Sequence, residues 1–269
     1  MSKKVVILGA AGRMGRTLIQ CILEKKVDGL ELIGAIDLWD DNQLGNDVGI
    51  FAGLGESGVL LSSDLNEVGP DADVIIDFSS HVSTAGNAER IAQWKTGWVI
   101  GTTGLNADEL NIINTVSKTN AIVMSGNMSL GINVLLALVK SASRVLMDKG
   151  FDIEIIEKHH NAKKDAPSGT ALMLGKAAAD GYDIDLATVK KDGRSGLEQR
   201  NNEEIGFHAI RGGDIVGDHN VLFAGSGELI EISHRATNRD IFALGALQAA
   251  LWVGNKEAGL YNMLDVIDL

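Results

Sequence analysis

Cysteine is nearly absent from these 269 residues, occurring once, at Cys21. A single thiol excludes an intramolecular disulfide and any CxxC redox or metal pair, which matches a reducing cytoplasm. Positive charge is also in short supply, with 24 Lys and Arg against 36 Asp and Glu and a formal charge of −12. That balance opposes nonspecific contact with phosphate backbones or anionic lipid, so it argues against a nucleic-acid or membrane-surface role. No apolar run approaches the ~18 residues of a membrane span, the longest candidate being Val134 to Val139. Met1-Ser2-Lys3-Lys4 leads straight into Val5-Val6-Ile7-Leu8, about four apolar residues where the core of a signal peptide takes ~7–15. The expectation is a soluble, cytoplasmic chain without a targeting segment. Internal repeats and low-complexity tracts are lacking as well.

What is present is a hydrophobic fraction of 45%, enough for two unequal domains at ~100–200 residues each. Continuous apolar runs recur in the first half, at Val5–Leu8, Leu32–Ile36, Val74–Phe78, Trp98–Ile100 and Ala121–Met124. Runs without alternation suit strands covered on both faces. Helical patterns lie between them, such as Met14–Lys25 and Asp108–Lys118. Alternating strand and helix predicts an α/β, Rossmann-like doubly wound parallel sheet over residues 1–128. Beyond it, Ile132–Met147 and Gly169–Asp180 read as helices and Ile153–Glu157 as a strand. Strands with glycine-bearing turns, at Gly212-Gly213-Asp214 and Gly225-Ser226-Gly227, fill Ile205–Ser233. Tight turns imply antiparallel pairing, so residues 129–238 are expected to form a second α+β domain with a mixed or antiparallel sheet. A last helix, Asp240–Val253, carries Ile241, Leu244, Leu247, Ala250 and Leu251 on one face; residues 239–269 are expected to pack back on the first domain. Lys190–Glu204 balances four cations against four anions and reads as a long solvated loop or a contact arm between subunits.

Gly9-Ala10-Ala11-Gly12-Arg13-Met14-Gly15 separates the first strand from the first helix, and Asp37 ends the second strand 22 positions after Gly15. Glycines allow a tight turn and let backbone amides approach a pyrophosphate at a helix N-terminus. Glycines serving only helix–sheet packing would look the same in isolation; the flanking strand and helix and the Asp37 carboxylate favour dinucleotide binding. Arg13 either faces the pyrophosphate or is solvated. Asp37 would bond ribose hydroxyls and repel a 2′-phosphate, and Leu38 and Trp39 add no positive charge, so NADH is expected over NADPH. Gly101-Thr102-Thr103-Gly104 and Ser125-Gly126-Asn127-Met128 follow the fourth and fifth strands, where ligands of such sheets bind, though either could be an ordinary loop.

His159, His160, Lys163 and Lys164 follow a strand, and Ser168 stands as a candidate N-cap before Gly169 and Thr170. Cationic side chains beside the amides of a helix start suit carboxylates, and imidazole suits proton transfer near neutrality. A solvated polar loop is the plainer alternative. Adjacent histidines point apart and no third ligand follows at helical spacing, which disfavours a metal.

The stretch Glu154–Ala171 resembles the signature of the 4-hydroxy-tetrahydrodipicolinate (dihydrodipicolinate) reductase family, and the likeness extends over the glycine turn, Gly101–Gly104, Ser125–Val134, Arg211–Gly217 and the last helix. The resemblance implies NAD(P)H-dependent reduction, with loss of water, of a cyclic dicarboxylate in diaminopimelate and lysine biosynthesis. It implies His159 as proton donor and acceptor and Lys163 as a proton donor that also contacts substrate. His160, Ser168, Gly169 and Thr170 would bind substrate. Gly9, Ala10, Ala11, Gly12, Arg13, Met14, Asp37, Gly101, Thr102, Thr103, Ser125, Gly126, Asn127 and Met128 would contact cofactor. Some members carry an arginine directly after the acidic residue for a 2′-phosphate, where this chain has Leu38. The family also implies a homotetramer built through the second domain. Another two-domain amino-acid or semialdehyde dehydrogenase would share the glycine turn but gives no reason for the His159–Thr170 cluster. A non-catalytic NAD sensor would have no need of both His159 and Lys163.

Overall fold

A computed structural model describes residues 2–37, 43–146 and 148–269. The chain divides into two compact units, Met1–Leu130 with Asp240–Leu269, and Gly131–Arg239.

In the first unit the apolar runs form strands β1 (Lys3–Leu8), β2 (Leu30–Ile36), β3 (Leu61–Ser62), β4 (Val74–Asp77), β5 (Gly97–Ile100) and β6 (Ala121–Met124). Helices α1 (Arg13–Leu23), α2 (Val48–Phe51), α3 (His81–Trp94) and α4 (Ala107–Val116) connect them. Among the described residues the sheet has seven strands in the order β12-β6-β5-β4-β1-β2-β3, where β12 is Gly259–Tyr261. Every pairing in it is parallel. The order reverses between β1 and β4, the switch point of a doubly wound sheet, where a crevice opens beyond the carboxyl ends of the strands. The short strands β3 and β12 escape the sequence reading because two or three residues carry no period.

Alternate residues of β1 enter opposite cores, Val5 and Ile7 with α1, Val6 and Leu8 with Ala88, Ile91 and Ile113 of α3 and α4. The helix α8 (Asp240–Val253) has the expected bounds and packs on α1, β4, β5 and β6. Its buried face differs from the expected one. Ala243, Gly245, Ala246, Leu247, Ala249, Ala250 and Val253 are buried while Ile241, Leu244 and Leu251 are half-buried. Small side chains let the helix axis approach the sheet, and Gly245 lies directly against the Met128 carbonyl. The short helix α9 (Met263–Val266) closes the unit. No helix of the described residues is long and apolar enough to cross a membrane.

The second unit contains α5 (Leu130–Leu146), β7 (Asp152–His159), α6 (Gly169–Tyr182), α7 (Leu186–Val189), β8 (Lys190–Asp192), β9 (Ile205–Arg211), β10 (Gly217–Gly225) and β11 (Glu228–Ala236). Met147, the expected end of α5, lies outside the described residues. The sheet order is β11-β10-β7-β9-β8. Gly225-Ser226-Gly227 joins the antiparallel pair β10 and β11. The second expected hairpin, at Gly212-Gly213-Asp214, is not one: β9 runs parallel to β7, and β10 pairs with β7 on its opposite side. The sheet is therefore mixed, because β9 pairs with β7 rather than with the strand its turn leads to. Lys190–Glu204 is not wholly loop, since Lys190–Asp192 forms the edge strand β8. Arg200 ties the remainder to β7 through Asp152 and Glu154 at 2.7 and 2.9 Å.

Strand β7 alternates strictly, with Ile153, Ile155, Glu157 and His159 on its buried side. Ile153 and Ile155 join Leu135 and Val139 of α5, Leu174 and Ala178 of α6, and Phe207 and Phe223 in the core. The same period carries Glu157 and His159 onto that inner face where the apolar stripe ends.

Candidate active site

At the end of β1 the chain turns within van der Waals limits. Gly9 has φ +78°, and a Cβ there would stand 2.6 Å from the Phe78 carbonyl oxygen that follows β4. Only glycine combines that backbone with that approach. The Gly9 and Ala10 amides donate to Ile36, the Gly12 amide donates to the Gly9 carbonyl at 3.1 Å, and the Arg16 guanidinium donates to the Ala11 carbonyl. Gly15 presses so closely on Gly9 and Ala10 that a side chain would overlap their backbone. Gly12 is the N-cap of α1 and supplies no side-chain cap, and the first turn, from Arg13, carries no acidic residue. Cradle and uncapped helix fit a diphosphate.

Asp37 follows β2 and accepts from the Ala11 amide at 3.0 Å, which ties the carboxylate to the turn. It lines a groove with Gly9, Ser63, Ser79, Asn87 and Arg90. Arg90 is a cation that the sequence reading did not place there; it comes from α3 and only the fold brings it near Asp37. Leu38 and Trp39 lie outside the described residues.

The other expected cofactor residues divide by exposure. Thr103 and Gly126 are exposed, and so is Arg13. Thr102 is buried and donates to Asp77 Oδ1 at 3.1 Å, while Gly101 abuts the Phe78 ring. Ser125 donates to the Asn127 carbonyl at 2.8 Å, and Asn127 Oδ1 accepts from the Ser129 amide. Met128 is buried in the apolar core. Asp77 is fully buried, and that burial raises its pKa against the bonds from Ser79.

In the second unit His159 ends β7, with its Nδ1 2.6 Å from Glu157 Oε2. Glu157 is 1% exposed. Arg211 grips both of its carboxylate oxygens, at 2.7 and 2.8 Å, and the Ser168 amide donates to Oε1 at 3.0 Å. Burial works to raise the Glu157 pKa, but the Arg211 and His159 contacts outweigh it and hold the group below the usual carboxylate range. Burial pushes His159 down by more than the Glu157 bond raises it. His219 of β10 stands beside His159 and meets Ser168 Oγ at 3.1 Å through Nε2; burial and the His159 neighbour lower its pKa to about 4.

Ser168 caps α6 as its position predicts, accepting from the Ala171 amide at 3.1 Å. Gly169 and Thr170 thereby open the helix at its positive end. The loop before it is less cationic than its sequence suggests. Lys163 reaches Asp165 at 2.8 Å, and this ammonium lowers the Asp165 pKa. His160 is half-buried, and its carbonyl accepts from the Lys163 amide. His159, Lys163, Ser168, Gly169 and Thr170 thus belong to one strand–loop–helix segment of this unit. Sequence reasoning did not single out Glu157, Arg211 or His219. Strand period could have flagged Glu157, two residues before His159. Arg211 and His219 come from the flanking strands, opposite His159 and Glu157 respectively, so only pairing register identifies them.

Two family models match the chain, described as dihydrodipicolinate reductase N-terminus over residues 3–128 and C-terminus over residues 131–267. A 4-hydroxy-tetrahydrodipicolinate reductase of Rhodopseudomonas palustris (strain BisA53) is 49% identical over 267 residues, covering 99% of this chain and 97% of the relative. One from Afipia carboxidovorans is 47% identical over the same length and coverage. Among solved structures, a dipicolinate-bound dihydrodipicolinate reductase from Paenisporosarcina sp. TG-14 superposes with a TM-score of 0.78 at 23% identity, covering 99% of this chain and all of the other.

Proposed function

The chain belongs to the dihydrodipicolinate reductase family, and on that premise we propose the following division of labour among its residues. The protein is a 4-hydroxy-tetrahydrodipicolinate reductase, an NAD(P)H-dependent oxidoreductase that yields tetrahydrodipicolinate with loss of water. Gly9 to Met14 cradle the cofactor pyrophosphate, with the amides at the uncapped start of α1 donating to it. Asp37 takes the adenosine ribose, and Gly101–Thr103 and Ser125–Met128 contact the rest of the dinucleotide. When bound, the nicotinamide supplies hydride to ring C4 of the unsaturated imine dicarboxylate left after dehydration. His159 and Lys163 deliver the proton that the resulting enamine takes up. Lys163, His160 and the amides of Gly169 and Thr170 meet the substrate carboxylates, with Ser168 fixing the helix start.

NADH is the preferred cofactor in this reading, supported by the carboxylate of Asp37 in its groove. The homotetramer assembles through the second unit. In support, β11 is an edge strand exposed along most of its length, and Ile210 and Leu229 remain 47% and 54% exposed. Sedimentation velocity checks that assembly; a monomer at micromolar concentration would end it. The chain works in the cytoplasm, consistent with one buried free thiol and with diaminopimelate and lysine biosynthesis.

The observation that carries the catalytic assignment is His159, buried on the Glu157 carboxylate in the same strand–loop–helix segment as Lys163 and the α6 N-terminus. The test is loss of NADH absorbance with 4-hydroxy-tetrahydrodipicolinate generated enzymatically in the cuvette. Turnover dependent on that substrate supports the reading, and its absence with both NADH and NADPH overturns it.

A further inference from the structure

Glu157 is the group that the assigned roles leave unused. A buried carboxylate is costly unless its oxygens are matched, and here Arg211 and the Ser168 amide supply donors to both. The remaining contact runs to His159 Nδ1 at 2.6 Å. An ionised carboxylate only accepts hydrogen bonds, so Nδ1 is the nitrogen that carries the proton. In the neutral ring Nε2 then holds the lone pair. Gly217 of β10 lies beside that nitrogen, where an added Cβ would stand 3.2 Å from Nε2. A glycine leaves that side of the imidazole free of a side chain.

We infer that Glu157 is a positioning residue for the reductase reaction. It fixes the His159 tautomer so that Nε2 is the proton-transferring atom, and it ties that imidazole to the first turn of α6 through the Ser168 amide. One anion, clamped by Arg211, thereby sets both the proton relay and the helix start that meets the carboxylates. In the step it serves, the Nε2 proton of the imidazolium passes to the enamine carbon of the ring. The enamine π pair forms the new C–H bond, and His159 is left neutral with its proton on Nδ1. The charged or titratable groups facing His159 are Glu157 on its own strand, Arg211 on β9, His219 on β10 and Lys163 from the following loop.

This inference rests on the reductase reading, and the test separates the two. Glu157→Gln in the full-length protein keeps the shape but removes the negative charge and replaces one of the two acceptor oxygens with a donor. The expected result is a kcat lower by about 10²-fold or more, with KM for the dicarboxylate nearly unchanged. The high-pH limb of the kcat profile should move to lower pH, because the imidazolium loses its carboxylate. NADH binding, followed by fluorescence quenching, should stay at the wild-type affinity. Wild-type kcat with an unmoved limb overturns the inference, as does a parallel loss of NADH affinity that marks general damage. Histidine ring-nitrogen NMR on the wild-type protein decides independently of any variant. The Nδ1–H tautomer at neutral pH supports the positioning role; an Nε2–H tautomer refutes it, whether or not the wild-type chain turns over the dicarboxylate.

Discussion

The imidazole of His219 stands edge-on to that of His159, with ring centroids 5.1 Å apart and 75° between the planes. An edge-to-face contact at this distance is attractive for neutral rings but brings two like charges together if both protonate. With its pKa lowered to about 4, His219 is neutral at neutral pH, so a protonated His159 would have no charged His219 beside it.

The depressed His219 value makes a statement about stability. A histidine whose folded pKa lies below its unfolded value, near 6.5, binds fewer protons folded than unfolded. Its contribution is therefore complete above pH 6.5 and is lost as pH falls toward 4. A shift of this size corresponds to roughly 3 kcal/mol at full titration, and the lowered His159 acts in the same direction. Urea unfolding between pH 7 and 4.5 should show wild type losing more stability than His219→Gln. Equal losses would contradict the buried neutral state of His219.

His159 and Lys163, the proposed proton carriers, should respond differently to truncation. His159→Ala is expected to reduce kcat by ~10²–10⁴ with a modest change in KM for the dicarboxylate. Lys163→Ala should reduce kcat and raise KM together, since the proposal has Lys163 both grip the substrate and donate a proton. Steady-state kinetics with full substrate titrations reads the split, and near-normal turnover in both variants would refute their roles.

Asp37 and Arg90 line one groove, and the proposed NADH preference assigns cofactor choice to them. Asp37→Ala removes the ribose acceptor and the repulsion of a 2′-phosphate, so the NADH to NADPH ratio of kcat/KM should fall by about 10-fold, near 1.4 kcal/mol. Arg90→Ala should raise the same ratio by weakening NADPH alone. A wild-type enzyme clearly better with NADPH would refute the predicted NADH preference.

Arg200 is the clasp of the segment following β8. Its guanidinium holds Asp152, Glu154 and the Ile153 carbonyl, and its side chain is 17% exposed. Arg200→Met should cost about 1–2 kcal/mol and lower Tm by roughly 3–6 °C, with kcat close to wild type. Differential scanning calorimetry measures the shift, and an unchanged Tm would mean that the clasp contributes nothing.

Local chemistry is what the amino-acid sequence by itself determined. The glycines between the first strand and the first helix permit a tight turn, the apolar runs need cover on both faces, and Ser168 can cap only the helix that follows it. These features depend on neighbours in the chain, and periodicity and turn chemistry expose them. The groove partner Arg90, the parallel placement of β9 beside β7, and the Arg211–Glu157–His159–His219 cluster were decided by tertiary structure alone. Arg90, Arg211 and His219 lie tens of positions from the groups they meet and reach them only through strand register and helix packing. A one-residue slip of β7 would turn Glu157 and His159 to the opposite face of the sheet, away from their partners.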